Sequence, residues 1–257
     1  PCGETRKIVM RYFMRLAYNG AGYHGWQVQP NGVTVQECVE RALSTALRTP
    51  IAVTGAGRTD AGVNAAMMVA HFDVTEPIAD THLLIRRLNS IVGRDIAIYS
   101  IYRVADDAHA RFDATSRTYK YFVTLTKSPF DYAFTWHCRT PLDFDLMNEA
   151  AERMMGYTDF TSFSKLHTDV FTNNCRITHA RWEQADDGRW VFTVTADRFL
   201  RNMVRAIAGT LVEVGRHKIS VEEFCQIIEK KDRCSAGTSM PGNALFLWEV
   251  TYPFHTE

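Results

Sequence analysis

The sequence has 257 residues, 46% of them hydrophobic and 23% charged, and its 29 Lys and Arg balance 29 Asp and Glu. These ordinary globular values exclude a disordered or low-complexity chain, and no apolar stretch approaches the roughly 18 residues that a membrane span needs. A zero net charge also removes bulk charge as a sign of a nucleic-acid partner, which would need Lys and Arg gathered on one face.

Residues 1–10 read as an N-terminal extension without the apolar core of a signal peptide. From Tyr12 to Tyr18 the chain alternates, with Met14 and Leu16 on one face, as a half-buried strand does; Gly20, Gly22 and Gly25 then mark a loop. Val35, Cys38, Val39, Ala42, Leu43, Ala46 and Leu47 follow helical spacing behind a Thr34–Glu37 capping box. A short strand at Ile51 to Thr54, a loop from Gly55 to Ala65 and a strand through Met68, Ala70, Phe72 and Val74 come next. A helix near Thr81 to Ile91 and a strand near Asp95 to Val104 follow. The order β-α-β-β-α-β is the ferredoxin-like plan.

The second half repeats the plan. Tyr119 to Leu125 is a strand and Phe144 to Met155 a helix, while Arg176 to Trp182 and Arg189 to Ala196 pair across Asp186, Asp187 and Gly188. One long helix carrying Leu200, Met203, Val204, Ile207, Ala208, Leu211 and Val212 ends at Gly215, and Leu245 to Tyr252 closes the chain. The expected fold is therefore α+β: two ferredoxin-like (βαββαβ) lobes, 11–108 and 109–257, whose antiparallel sheets meet around a central cleft suited to an extended substrate. Six cysteines, at 2, 38, 138, 175, 225 and 234, include no C-x-x-C pair, which favours free thiols in the cytoplasm over a compact zinc site.

The densest chemical signal is Gly55-Ala56-Gly57-Arg58-Thr59-Asp60-Ala61-Gly62. It opens like a dinucleotide fingerprint, but Asp60 stands where the third glycine should be, and its charge would repel a pyrophosphate. No Lys-Ser or Lys-Thr follows Gly62, so a phosphate loop is excluded as well. What remains is a pliable backbone presenting one carboxylate beside one guanidinium, although Asp-Ala-Gly is also an ordinary turn sequence. Arg205 borders the apolar stripe of the long helix, where a guanidinium either seeks an anion, Asp60 being one candidate, or snorkels to solvent. In the strand Arg117-x-Tyr119-x-Tyr121 the tyrosines share a face, as stacking rings or as ordinary core.

Gly57-Arg58-Thr59-Asp60-Ala61-Gly62-Val63 resembles the active-site motif of the tRNA pseudouridine synthase A family. The likeness runs on through Gly25-Trp26-Gln27, Thr34-Val35-Gln36-Glu37, Ala110-Arg111-Phe112, Arg117-Thr118-Tyr119-Lys120-Tyr121 and Asp159-Phe160-Thr161-Ser162-Phe163. It ends with Phe199-Leu200, Met203-Val204-Arg205 and Val214-Gly215. Three positions depart from the usual pattern: Asn64 replaces a common His, Asn19 a common Asp and Ala244 a common Gly.

The resemblance implies two ferredoxin-like lobes, a homodimer, and isomerisation of uridine to pseudouridine at about positions 38 to 40 of the tRNA anticodon stem-loop. It makes Asp60 the catalytic carboxylate, Arg205 its ion-pair partner, Tyr119 the ring beneath the uracil and Arg58 a contact that holds the target nucleotide out. An isomerisation needs no redox change or group donor, so neither cofactor nor metal is expected. Two other classes compete: a non-catalytic RNA-binding protein that stacks bases on Tyr119 and Tyr121, and a metal-dependent hydrolase drawing on nine histidines, which lack H-x-H or H-x-x-x-H spacing.

Overall fold

The computed structural model describes residues 9–165 and 172–254. Of the expected N-terminal extension, residues 1–8 lie outside the described residues, and Met10 already belongs to the first strand. The first half runs β1 (Met10–Tyr18), α1 (Val35–Leu47), β2 (Val53–Gly55), β3 (Asn64–Val74), α2 (Thr81–Ile91) and β4 (Ile96–Arg103). The second runs β5 (Ser116–Thr124), β6 (Trp136–His137), α3 (Phe144–Met154), β7 (Ile177–Gln184), β8 (Trp190–Ala196), α4 (Met203–Gly215), α5 (Val221–Lys230) and β9 (Leu245–Thr251).

Local signals explain most of these boundaries. Thr34 Oγ1 accepts the Glu37 N–H at 3.4 Å and starts α1, and Asp80 does the same for Leu83 at α2, at 2.8 Å. The reciprocal capping box forms at α5, where Glu223 accepts the Ser220 N–H at 2.7 Å while Ser220 Oγ accepts the Glu223 N–H at 3.1 Å. That helix is a correction to the sequence reading, which placed a single helix between β8 and the closing strand. Val221, Phe224, Ile227 and Ile228 are its buried stripe.

The strands form one mostly antiparallel sheet of nine, in the order β4-β1-β3-β9-β5-β8-β7, with β2 added on β3 and β6 on β5. Where two separate sheets were expected, there is one: a short parallel pairing, Asn64 with Phe246 and Ala65 with Leu247, joins β3 to β9. Asn64 reinforces this junction. Its Nδ2 donates to the carbonyls of Asn243 (2.7 Å) and Leu245 (3.4 Å), and its Oδ1 accepts the Gly20 N–H at 2.9 Å. Buried in this way, Asn64 ties β3 to the segment before β9. Asn19 likewise accepts the Ala21 N–H at 3.0 Å through Oδ1, an acceptor role that an aspartate fills equally well.

Helix α4 is the most deeply set of the five, packing against both α3 and α5. Val204, Ile207 and Leu211 are buried. At roughly 1.5–3 kcal/mol for each buried side chain, they fix the helix firmly, and its first turn with it.

Candidate active site

The segment between β2 and β3, residues 56–63, carries Asp60 and is held from three sides. The Trp26 N–H donates to the Thr59 carbonyl at 3.2 Å, the Gly62 N–H to the Tyr23 carbonyl at 3.3 Å, and the Tyr18 and Thr59 hydroxyls lie 2.8 Å apart. A Cβ on Gly25 would sit 2.4 Å from the Thr59 carbonyl oxygen, so the backbone packs this close only against glycine. Gly62 adopts φ +76°, a left-handed conformation that glycine takes without strain. The Gly25-Trp26 motif is therefore a buttress for the carboxylate loop.

Asp60 projects into a cavity of about 720 Å³ between the two halves of the sheet. Arg58, Asp60, Tyr119 and Arg205 all line it, so the structure brings the four sequence-predicted residues together. Arg205 donates through Nε to the Met240 carbonyl at 2.6 Å, which aims its fork at Asp60, Nη1 to Oδ2 3.4 Å. Arg201 reaches the other carboxylate oxygen, Nε to Oδ1 3.6 Å. Arg201 received no role from the sequence: it stands in the turn before α4, ahead of left-handed Asn202, so no helical period pairs it with Arg205. Asp60 keeps 22% of its side chain exposed, and partly exposed pairs of this length contribute at most about 1 kcal/mol to stability. Their effect is to orient the carboxylate from two sides.

Tyr119 is buried, with its ring edge-on to Phe199, centroids 5.1 Å apart. Burial first, and the nearby Asp60 charge second, raise its hydroxyl well above the ordinary tyrosine value, so the phenol stays neutral. The register of β5 against β9 shifts between Thr118 and Tyr119, a bulge of the kind that re-aims a side chain beside a site. Tyr121 does not join it. The Tyr121 hydroxyl donates to the Pro241 carbonyl at 3.1 Å inside the core, which removes the second stacking ring from the surface.

Six arginines line this cavity, at 58, 111, 117, 198, 201 and 205, against two acids, Asp60 and Asp197. The chain's balanced charge is thus unevenly spread, with the excess of cations gathered here. Arg117 is a clamp: it donates to the carbonyls of Ala56 (3.0 Å), Arg111 (2.5 Å), Ala114 (2.9 Å) and Asp197 (2.9 Å), tying the Asp60 loop to two others. Burial lowers the pKa of Arg111, and the positive charges of Arg58 and Arg198 lower it further. Such mutual repulsion is the mark of a place that awaits an anion. Among the described residues no three His, Cys, Asp or Glu side chains are arranged to hold a metal ion, and no helix is long and apolar enough to cross a membrane.

Comparison with known proteins adds a second line. A family model described as tRNA pseudouridine synthase matches residues 150–253, the stretch that holds Arg201 and Arg205. Over 245 residues the chain is 59% identical to tRNA pseudouridine synthase A of Bacteroides fragilis, covering 95% of this chain and 97% of that protein. It is 57% identical to the protein of the same name in Porphyromonas gingivalis, with 95% and 97% covered. The Colwellia psychrerythraea protein of that name is 37% identical, with 96% of both chains covered.

Proposed function

The chain belongs to the tRNA pseudouridine synthase A family, and from that premise we propose that it isomerises uridine to pseudouridine in the anticodon stem-loop of tRNA, at about positions 38 to 40, with Asp60 as the catalytic carboxylate. The observation that carries the reading is the Asp60 carboxylate, met by two arginines, in a cavity where six arginines face only two acids. Isomerisation breaks the N1–C1′ bond, turns the uracil, and forms C5–C1′, while C5 gives up its hydrogen as a proton and N1 ends with one. The base must leave the stack to turn, at a cost of a few kcal/mol.

In this reading Tyr119 is the floor on which the flipped uracil lies, with Leu245 and Leu247 as apolar walls. Arg58, exposed at the mouth, holds the nucleotide out, and Arg205 keeps Asp60 oriented. Arginines along the cleft bind the phosphates on either side. No cofactor is needed, and a tRNA substrate implies a cytoplasmic enzyme.

The same proposal divides the chain into ferredoxin-like lobes, 11–108 and 109–257. Support comes from strand order: β4-β1-β3-β2 in the first half and β9-β5-β8-β7 in the second follow one pattern. A homodimer completes it. On the outer face of β5 and β9, Phe122, Phe134, Phe246 and Trp248 form a contiguous aromatic cluster beside exposed Phe130 and Tyr132, a surface that a second copy would cover.

The direct test incubates an unmodified tRNA transcript with the protein and maps pseudouridine by carbodiimide-dependent primer-extension stops. Stops confined to the anticodon arm are expected. Stops confined to another arm would overturn the assignment of site, and none at all would favour a protein that binds tRNA without changing it.

A further inference from the structure

One edge of the cleft is made by Arg111 and Phe112, whose ring is 74% exposed. This segment belongs to no helix or strand, and its shape is set by two histidines. The Ala110 N–H donates to Nδ1 of His71 at 3.1 Å; the next two N–H groups, of Arg111 and Phe112, donate to Nδ1 of His109 at 3.1 and 3.2 Å. Three consecutive backbone donors thus end on imidazole lone pairs. The two rings meet edge to face, centroids 4.6 Å apart, and His109 lies against the Phe112 ring at 4.2 Å.

An imidazole accepts through Nδ1 only while that nitrogen carries no proton. We infer that His109 is a positioning residue: in its neutral form, backed by His71, it holds the Arg111–Phe112 edge in place to grip the RNA strand beside the flipped uridine, and protonation releases that grip. Arg111, whose guanidinium lies over the Phe112 ring at 5.8 Å, offers its charge to a phosphate, and the exposed Phe112 ring offers contact to the neighbouring base. The inference rests on the proposed action on tRNA.

The surroundings favour the neutral state at physiological pH. Burial lowers the pKa of His109, as does the charge of Arg11, with Arg111 adding to both and Asp113 opposing them. His71 is pushed down to about 4 by burial, Arg11 and His109, against the opposing charges of Asp73 and Asp113. Arg11 is itself tied to Asp73, Nε to Oδ1 2.8 Å, and Asp113 accepts the His109 N–H at 2.7 Å, so the charged groups around the pair are fixed. As pH falls below the ordinary histidine range, Nδ1 of His109 changes from acceptor to donor, and two N–H groups lose their partner.

Asparagine carries an acceptor oxygen on Cγ, where histidine carries Nδ1, and it does not titrate. The test measures KM and kcat for tRNA turnover at about pH 8 and about pH 5.5 for wild type, His109→Asn, His109→Leu and Phe112→Ala. Wild type should show KM rising at least about twofold toward the acid end, with kcat changing less; His109→Leu should show the high KM at both pH values; His109→Asn should stay low at both. Phe112→Ala, an exposed truncation, should raise KM at the higher pH even if the leucine variant does not fold. An acid-end rise in KM equal in His109→Asn and wild type, or a KM in Phe112→Ala equal to wild type, overturns the inference. Failure of wild type to turn over any tRNA would instead overturn the proposed function.

Discussion

Two cavities of similar size differ in what their charges are doing. The larger, about 850 Å³, lies among residues 140–145, Trp190 and residues 215–218. Its cations are already engaged: Lys218 meets Glu213 at 3.0 Å and Arg216 meets the same carboxylate at 3.2 Å. The His217 ring sits 3.5 Å from Asp143. The smaller one, around Asp60, gathers six arginines and only two acids. Volume therefore does not identify the site. Charge left without a counter-charge inside the protein does, because an uncompensated guanidinium cluster is held only where a ligand completes it.

The largest effect should come from exchanging one carboxylate in each cavity. Asp60→Asn should lower turnover by at least about 10³-fold while leaving the fold intact, whereas Asp143→Asn, which can still cap α3, should change it less than about twofold. Equal losses, scored by pseudouridine yield per minute, would erase the distinction between the cavities.

A pH effect on stability should come next. His71 has a folded value lowered to about 4, so the unfolded chain binds its proton first as pH falls. Stability is unaffected above the ordinary histidine value, declines from about pH 6.5 to about pH 4, and the full loss is on the order of 3 kcal/mol. Urea midpoints across that window should fall for wild type and fall less for His71→Asn; parallel curves would show that the buried imidazole is not responsible.

Arg205→Met should reduce kcat by roughly ten- to a hundredfold, since Arg201 remains to hold Asp60 from one side only. Arg205→Lys should recover part of the loss, because a lysine lacks the fork that reaches both the Met240 carbonyl and Asp60. Single-turnover kinetics separates this from binding, and a change in KM alone would remove Arg205 from the reaction.

The smallest effect is a slope. Affinity for tRNA should fall steeply with salt, and Arg58→Ala or Arg198→Ala should each reduce the slope of log K against log salt by about 1, while Lys218→Ala leaves it unchanged. A flat wild-type plot would mean that the arginines of the smaller cavity meet no phosphates.

What was legible beforehand followed from local rules. The ends of α2 at Thr81 and Ile91, the turn at Gly188 and the residues of the Asp60 loop were readable because period, capping and glycine placement act over a few neighbours. Helix α5 carried its own capping box and was passed over because the strong apolar run of α4 absorbed the whole segment. The join of β3 to β9 was hidden for a different reason: it depends on Asn64 meeting the chain about 180 residues later, which no periodicity records. The same holds for the cavity. Arg111, Arg117 and Arg198 come from distant segments, and only the folded chain shows that Arg117 clamps three loops while Arg111 is left facing two other cations. Tyr119 and Tyr121 looked equivalent by alternation; both are buried, but only Tyr119 lines the cavity, while the Tyr121 hydroxyl is tied to the Pro241 carbonyl.

The central claim is that this cleft performs chemistry on a uracil, and the hydrogen at uracil C5 reports it. With tRNA transcribed from uridine carrying tritium at C5, the protein should release label to water, without added metal or nucleotide, in step with the pseudouridine formed. Retardation of the tRNA in a gel with every tritium still in place would contradict the account.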